Sequence, residues 1–366
     1  MPDLSRSLEW RGTACPALLA AVLLACGGAA QAGAFAQGAH GSATLLPRAC
    51  GSCHVGHGPP RSLMLPSGAD GTCLQCHGDA AARDAAKAKG LLTQTEGLGN
   101  VSAEFLKISH HPLGNSTQSL LRIPVKRVAG GAPAALSTVA CVDCHDEHYQ
   151  TKAANGGQLD VTKIKQIGNS RHGDRPEYEL CYKCHGTGAA SAGRVDIQRL
   201  VNPGNASYHP VQAIGKNPST PSLIQPYTTQ SYTACTDCHG SDQANAPRGP
   251  HGSLFRPILK ANYSTQDGQA ESLNQYALCY RCHNRATVNS ESQSSFRYHK
   301  KHLEKRASCR ACHNSHGSTQ YAHLIDFDTT IVTPNTNNQL DYQSSAGNHG
   351  SCNLRCHGKN HVNLGY

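Results

Sequence analysis

The feature that most constrains this chain is a pair of cysteines followed at once by a histidine, which recurs along its length. Seven copies have two residues between the cysteines, and an eighth, SCNLRCHG, has three. Together they contain sixteen of the 18 cysteines, so that only Cys15 and Cys26 lie outside them. Any fold for this chain must therefore provide eight such sites between Cys50 and His357.

The spacing of the cysteines indicates covalent attachment of haem c. Two cysteines one turn apart can form thioethers at one porphyrin edge, and the histidine that follows can bind the iron. Disulfides and zinc sites are the alternatives, because both use paired cysteines. Neither requires a histidine after the second cysteine, whereas all eight copies have one although histidine is only 22 of 366 residues. We therefore predict eight covalently bound haems, each with its iron.

The predicted haem-binding residues are those of the eight copies. The thioether cysteines are Cys50, Cys53, Cys73, Cys76, Cys141, Cys144, Cys181, Cys184, Cys235, Cys238, Cys279, Cys282, Cys309, Cys312, Cys352 and Cys356. The proximal iron ligands are His54, His77, His145, His185, His239, His283, His313 and His357. Because the eighth site has one more residue between its cysteines, we expect that residue to bulge so that both sulfurs stay within reach.

An internal repeat emerges when the sites are aligned in twos. The first member of each pair reads like ACVDCHDEH, and the second reads like LCYKCHGT. Repeated units that cannot bury their apolar faces alone are stacked on one another, so we expect four dihaem modules. Their predicted bounds are 37–135, 136–230, 231–304 and 305–366.

This arrangement resembles the bacterial multihaem cytochrome c family, whose doubled CxxCH motif covers nearly all of the chain after its first 36 residues. The resemblance implies electron transfer, with a histidine on each side of the iron. Met64 is the only methionine besides the initiator. At most one haem can therefore have the methionine ligand that raises the potential of small cytochromes c.

Histidines outside the motifs are the predicted distal ligands. His57, His148 and His316 each follow a proximal histidine by three residues. His251, in GPHGS, takes the corresponding place in the third module, where the pattern is broken. These four would serve one haem per module.

A second group of histidines follows the second site of each module. His111 and His209 both precede a proline, which holds the preceding backbone extended. The alternatives that stay open are His110 or His111, His299 or His302, and His349 or His361. The candidates taken are His111, His209, His302 and His361, with His172 as a further one, while His40 and His323 are treated as ordinary residues.

The composition predicts an irregular fold with a small side-chain core. The chain has five Phe, one Trp and two Met, against 36 Gly and 19 Pro, which interrupt regular elements. We predict mostly irregular structure with short α-helices packed around a chain of covalently bound haems, whose apolar faces form the interior. The sequence pattern favours helices at 79–90, 102–109 and 161–168 and a surface loop at 329–350.

The first 36 residues have the pattern of an export signal. Arg6 and Arg11 precede the apolar run ACPALLAAVLLACGGAA, which is short for a membrane span and is followed by small residues. The stretch LLAC, ending at Cys26, resembles a lipobox, so a lipid anchor is an alternative to simple cleavage. We expect a periplasmic, outer-membrane-associated or extracellular protein.

The net charge of +9 does not indicate nucleic-acid binding. Each haem adds two propionates, and eight oxidised haems subtract about eight charges from the polypeptide's total. The basic side chains are therefore expected to pair with propionates. This group includes Lys300, Lys301, Lys305 and Arg306.

These observations together predict an octahaem c-type cytochrome that carries electrons between extracytoplasmic redox partners, in anaerobic or extracellular respiration. The expected partners are other cytochromes or an outer-membrane conduit, and the repeat also permits a homopolymer. We predict no catalytic residues. The alternative is a multihaem oxidoreductase that acts on a small nitrogen or sulfur oxyanion at a haem with an open axial position.

Overall fold

The computed structural model describes residues 39–56, 64–114, 138–145, 176–187, 195–345 and 349–366. The export signal predicted for residues 1–36 and the helix predicted at 161–168 lie outside these residues. The described part is mostly irregular with short helices, as the composition predicts. Within it, no helix has the length and apolarity needed to cross a membrane.

The helices of the described residues are short, and most coincide with the cysteine motifs. The longest has ten residues. The α-helices are α1 (Gly68–His77), α2 (Ala80–Ala88), α3 (Cys141–Cys144), α4 (Glu177–His185), α5 (Ile197–Leu200), α6 (Cys235–Cys238), α7 (Arg285–Val288), α8 (His299–Glu304) and α9 (Cys309–Cys312). Three 3₁₀ helices lie at Ala49–Ser52, Glu104–Leu106 and Cys279–Arg281.

The strands form two small ladders and one C-terminal sheet. In chain order they are β1 (Ser109–His110), β2 (Ser207–Tyr208), β3 (Gly252–Ser253), β4 (Gly317–Ser318), β5 (Asp341–Ser345), β6 (His349–Cys356) and β7 (Lys359–Gly365). β1 pairs antiparallel with β3, and β2 pairs antiparallel with β4. The antiparallel C-terminal sheet has β6 in its middle. Both small ladders thus join segments that are far apart in the sequence.

The helix predicted at 79–90 is confirmed as α2. The side chain of Asp79 accepts a hydrogen bond of 2.8 Å from the backbone N–H of Ala82, which is the N-cap that the sequence indicates. The chain leaves the helix at Gly90, whose φ of 65° is easily reached only by glycine.

Two other local predictions are corrected. The segment 102–109 forms only the 3₁₀ turn Glu104–Leu106, because Ser109 pairs with Ser253 in the first ladder. The segment 329–350, predicted to be a surface loop, contains β5 and the start of β6. Its Val332 is 1% exposed and packs with Ala311 and Leu354, so that tertiary contacts override its polar composition.

Carboxylates connect each predicted module to the next in the same way. Each precedes the second motif of one module and accepts the backbone N–H of the first cysteine of the next module's first motif, or of a residue adjacent to that cysteine. The bonds join Asp70 to Cys141 N (2.8 Å), Glu177 to Thr236 N (2.7 Å) and Asp267 to Ser308 N (2.8 Å). Each bond satisfies a donor that a helix start leaves unpaired and fixes the distance between neighbouring motifs.

A buried ion cluster makes a further connection between distant segments. Lys107 Nζ lies 2.9 Å from Glu104 and 2.8 Å from Asp242, and each of the three side chains is no more than 9% exposed. Lys107 also donates to Ser241 Oγ at 3.0 Å. The cluster therefore joins the 3₁₀ turn beside the first ladder to a loop of the third predicted module.

Replacement of Lys107 by methionine should lower the free energy of unfolding by about 3 kcal/mol, because it leaves two buried carboxylates without their cation. Denaturant unfolding of the haem-loaded protein measures the change. Lys87→Met, on the exposed side of α2, is the matched control and should change stability by less than about 0.5 kcal/mol. Equal effects of the two substitutions would contradict a structural role for the cluster.

Candidate haem-binding sites

Helical turns place the cysteines of the first seven motifs close together. In α3, α6 and α9, the first cysteine's carbonyl accepts a hydrogen bond of 2.8–2.9 Å from the backbone N–H of the motif histidine. These bonds join His145 to Cys141, His239 to Cys235 and His313 to Cys309. Residues three apart on a helix lie about 5–6 Å from each other on one face, which suits two thioethers to a single porphyrin edge.

The eighth motif has a different backbone. Cys352 and Cys356 both lie in β6, where four residues of strand separate their α-carbons by about 13 Å. The sequence led us to expect that the extra residue would bulge. In the structure it instead belongs to the strand, and it keeps both cysteines on the same face of β6. This site therefore fits a porphyrin edge less closely than the other seven.

Consecutive motifs lie side by side through the described chain. Within each module, burial raises the pKa of one thiol, and a cysteine of the other motif raises it further. These pairs are Cys76 and Cys53, Cys144 and Cys181, Cys238 and Cys282, and Cys312 and Cys356. The motifs of each module are therefore neighbours in space.

The same proximity connects one module to the next. Hydrogen bonds to Cys73 and Cys181 are the largest causes that raise the pKa of Cys141 and Cys235, respectively. Burial, and after it Cys279, raises the pKa of Cys309. The eight motifs thus form one continuous series.

A continuous cavity of about 3880 Å³ runs past this series. Its wall includes cysteines of the second to the eighth motif, from Cys73 to Cys356. Pockets for a single small ligand have volumes of about 300–1,000 Å³. The cavity is therefore large enough for several porphyrins, and the motif cysteines line it where thioethers would be needed.

Imidazoles lie in pairs beside these cysteines at the separation expected across an iron. Two metal–nitrogen bonds of about 2 Å and the radii of two rings give roughly 6 Å between ring centroids. Within the described residues, six pairs have this separation. They are His40 and His77 (6.0 Å), His145 and His251 (6.0 Å), His111 and His185 (6.3 Å), His239 and His316 (6.2 Å), His299 and His313 (6.1 Å), and His302 and His361 (6.3 Å).

Most of the candidate distal histidines that the structure describes belong to these pairs. His111, His251 and His316 each face a motif histidine, while His302 and His361 face each other. The candidate His209 lies near the motif histidine His283. Burial lowers the pKa of His283 to about 4, and the charge of His209 lowers it further. The candidates that lie outside the described residues are His57, His148 and His172.

Sequence reasoning missed the placement of His40 and left that of His299 open. His40 faces His77, and His299 faces His313. The tripeptide His-Gly-Ser occurs at residues 40–42, 239–241, 251–253, 316–318 and 349–351, so it does not by itself identify a distal ligand. His40, His251 and His316 each face a motif histidine across the separation given above.

The two small ladders explain why glycine follows His251 and His316. A Cβ on Gly252 would lie 1.8 Å from the carbonyl oxygen of Glu104, and one on Gly317 would lie 2.0 Å from that of Leu200. Only glycine permits such close approach of two backbones. The backbone N–H of His111 then donates to His251 O at 3.3 Å, and that of His209 donates to His316 O at 3.0 Å. Each ladder therefore holds two candidate ligands side by side.

Substitution of Gly317 by alanine should push β4 away from β2 and lower the free energy of unfolding by about 1–3 kcal/mol. It should also reduce the low-spin haem signal, because His209 and His316 depend on this ladder. Thermal unfolding and visible spectroscopy measure the two effects. Gly215→Ala is the control, since a Cβ there would lie 3.8 Å from its nearest neighbour. A low-spin signal that Gly317→Ala leaves intact would contradict the role given to the ladder.

Backbone carbonyls fix the orientation of several of these imidazoles. The Nδ1 atom lies 2.7 Å from Pro250 O in His111, 2.9 Å from Pro257 O in His239, and 3.0 Å from His323 O in His313. A hydrogen bond from Nδ1 leaves Nε2 to bind a metal, as is usual for ligating histidines.

Burial also selects the neutral imidazole, the form that binds metal. It lowers the pKa of His251 and His316 to about 4 and that of His299 to about 3. At neutral pH these rings therefore have an unprotonated nitrogen. The side chains fit haem iron in geometry and in charge.

Two family models match the chain. The doubled CXXCH motif matches residues 45–82, which contain the first two motifs, and cytochrome c554 and c-prime matches residues 234–314, which contain the fifth to the seventh. The two matches indicate a multihaem c-type cytochrome. Neither the comparison with curated proteins nor the comparison with solved structures gave a match. The CXXCH motifs indicate covalently bound haem c, and the matched cytochrome families suggest electron transfer.

Proposed function

We propose that this cytochrome conducts electrons along eight haems, from the site at Cys50 to the site at Cys356. The observation that carries the proposal is the set of imidazole pairs at 6.0–6.3 Å along one cavity. An iron with an imidazole on each side has no position for a substrate. Electrons can still pass from the edge of one haem to the next, and bis-histidine ligation favours low potentials compared with His/Met ligation.

We further propose that the modules exchange their distal ligands. The first ladder contains His111 of the first module and His251 of the third, and these face His185 and His145 of the second. In the second ladder, His316 of the fourth module faces His239 of the third. The second module would thus receive distal ligands from both of its neighbours, and the third would receive one from the fourth.

The ends of the series would use additional histidines, because the end modules have a neighbour on one side only. At the N-terminal end, His40 faces His77. At the C-terminal end, His299 and His302 lie three residues apart on α8 and face His313 and His361. Three residues apart is the spacing that puts two side chains on one helical face. One helix would therefore supply the distal ligands of the last two haems.

We place the cytochrome outside the cytoplasm, in the periplasm or at the outer membrane, on the evidence of its N-terminal sequence pattern. The proposed partners are other redox proteins, either cytochromes or an outer-membrane conduit, and the proposed process is anaerobic or extracellular respiration. Mass spectrometry of the mature protein would count its haems, locate the cleavage point and detect any lipid on Cys26.

Addition of cyanide, nitrite or hydroxylamine to the oxidised protein tests the proposed function. A protein with an imidazole on both sides of every iron should show no change in its visible spectrum. Stepwise reduction by an electrode should then load electrons into all eight haems. A haem that binds any of these ligands would instead favour the multihaem oxidoreductase that acts at an open iron.

A further inference from the structure

We propose that the outer side of α8 is the docking surface for a redox protein with an acidic face, which exchanges electrons with the last two haems. This surface, the basic patch, consists of Arg297, Lys300, Lys301, Lys305 and Arg306. The inference rests on the proposed function, because it requires two haems whose distal ligands are His299 and His302. It follows from the exposure of the five cations, from their place on the helix and from the aromatic contacts beneath them.

Positive charge is concentrated in this part of the chain. Between Glu291 and Asp326 there are six basic residues and one acidic residue, Glu304. The sixth basic residue, Arg310, already has a partner, since its Nε lies 2.8 Å from Oδ2 of Asp328. Within the described residues, none of the five cations of the basic patch forms an ion pair. Their charge is therefore available to an anion from outside the chain.

The two sides of α8 have opposite character. His299, His302 and Leu303 lie three or four positions apart and so share one side, on which Leu303 is buried. The lysines of the helix lie on the other side, and all five cations of the basic patch are exposed. The basic side chains that the sequence assigned to propionates thus point away from the side of the proposed ligands.

Helix stability does not explain the position of these cations. Lys300 and Lys301 are the second and third residues of α8, whose first turn has no acidic residue. The positive end of the helix dipole lies there, so cations at this end are unfavourable. Arg297 adds a third positive charge just before the helix. Such an arrangement indicates that the positive charge serves an interaction at the surface.

Tyr298 fixes two of the cations. The centre of its ring lies 5.0 Å from Cζ of Arg297 and 5.6 Å from Nζ of Lys301. Cations at this distance from an aromatic face are attracted to it. Side chains that are held in place before binding lose less conformational entropy when a partner docks. The basic patch is therefore partly preorganised.

Aromatic rings connect the basic patch with the proposed ligands. The ring centroid of Phe296 lies 5.9 Å from that of Tyr298. It lies 5.0 Å from the ring centroid of His299 and 5.5 Å from that of His302. An α-helix with its side chains is only about 10–12 Å across. A partner on the outer side of α8 would therefore be close to the ligands of both haems.

A protein partner fits this surface better than a membrane does. Helices that lie on membranes bury an apolar side in the lipid, next to their cations. In the segment 296–306, however, no large hydrophobic side chain is exposed. An acidic protein face supplies the complementary charge, which accelerates association and orients the partner over the haems.

The double substitution Lys300→Glu with Lys305→Glu tests the inference. Both lysines are exposed, and neither is one of the two cations over Tyr298. A reduced plant-type ferredoxin, which is an acidic one-electron donor of low potential, is mixed with the oxidised, haem-loaded protein in a stopped-flow experiment. At low ionic strength, the second-order rate constant of haem reduction should fall about tenfold or more. Added salt should slow the reaction of the native protein and have little effect on the variant.

The matched control is Lys87→Glu with Lys89→Glu, at the end of α2. These lysines are also exposed, and their replacement changes the net charge by the same amount. The control should retain the native rate constant within about twofold, because only charges near the docking site steer the partner. Both variants should keep the native haem content. Equal rate constants for the two double variants would overturn the inference.

Vesicles of anionic phospholipid provide a second measurement. If Lys300→Glu with Lys305→Glu abolished vesicle binding but left the ferredoxin rate constant intact, the basic patch would be a membrane-binding surface and the inference would be wrong. Failure of the proposed function has a different signature. The native protein would then bind cyanide at an iron, or an electrode would load electrons into fewer than eight haems.

Discussion

Replacement of both Cys235 and Cys238 by alanine should prevent the cytochrome from accumulating in folded form. These thiols line the middle of the large cavity, where side chains alone provide little apolar packing. Truncation of one buried Trp already costs about 3–5 kcal/mol, and a porphyrin has a larger apolar surface. The loss is on the order of the whole stability of a folded domain, about 5–15 kcal/mol. Haem-stained yield and circular dichroism of the purified protein measure it.

The matched control for this double substitution is the same change at the first motif, Cys50→Ala with Cys53→Ala. These residues lie in the 3₁₀ helix Ala49–Ser52 and the residue after it, and they are not part of the cavity wall formed by the other seven motifs. The control protein should fold with one haem fewer. Normal accumulation of both double variants would contradict a haem-filled interior.

Substitution of His316 by methionine should raise the potential of the fifth haem on the order of 0.1 V, because methionine replaces a distal imidazole. The ring of His316 lies 6.2 Å from that of His239, with only 7° between the planes, which is the most nearly parallel of the six pairs. A site of high potential in mid-series would trap electrons and slow their passage to later haems. Redox titration and transient reduction kinetics measure the two effects.

His110→Met is the control for this substitution. His110 is exposed and lies next to the candidate ligand His111, and its Nδ1 is 2.7 Å from the carbonyl oxygen of Lys107. Its replacement should leave every potential unchanged. If His316→Met also left the potentials unchanged, His316 would not be an iron ligand.

The local features of this protein could be predicted from its sequence. The cap at Asp79 and the glycine at Gly90 define α2, and both depend on neighbouring residues only. The haem-attachment motifs could likewise be recognised, because each consists of only five or six consecutive residues. The C-terminal sheet was missed because only Tyr342 of β5 is buried, so that the strand has no alternation of apolar and polar residues.

The pairing of the histidines could not be read from spacing alone. His145 faces His251 of the third module, because the first ladder brings the third module beside the first. Local periodicity carries no information on such contacts. His40 shares the tripeptide His-Gly-Ser with His251 and His316, but the same tripeptide occurs at His239 and His349, so the sequence alone could not identify His40.

The proposed exchange of distal histidines between modules would set an order of maturation. The second module is synthesised before the third, yet His145 faces a residue that the third module supplies. Its cysteines can receive haem early, while its coordination is completed only when later chain arrives. Such a module could therefore complete its folding only after the next module has been synthesised.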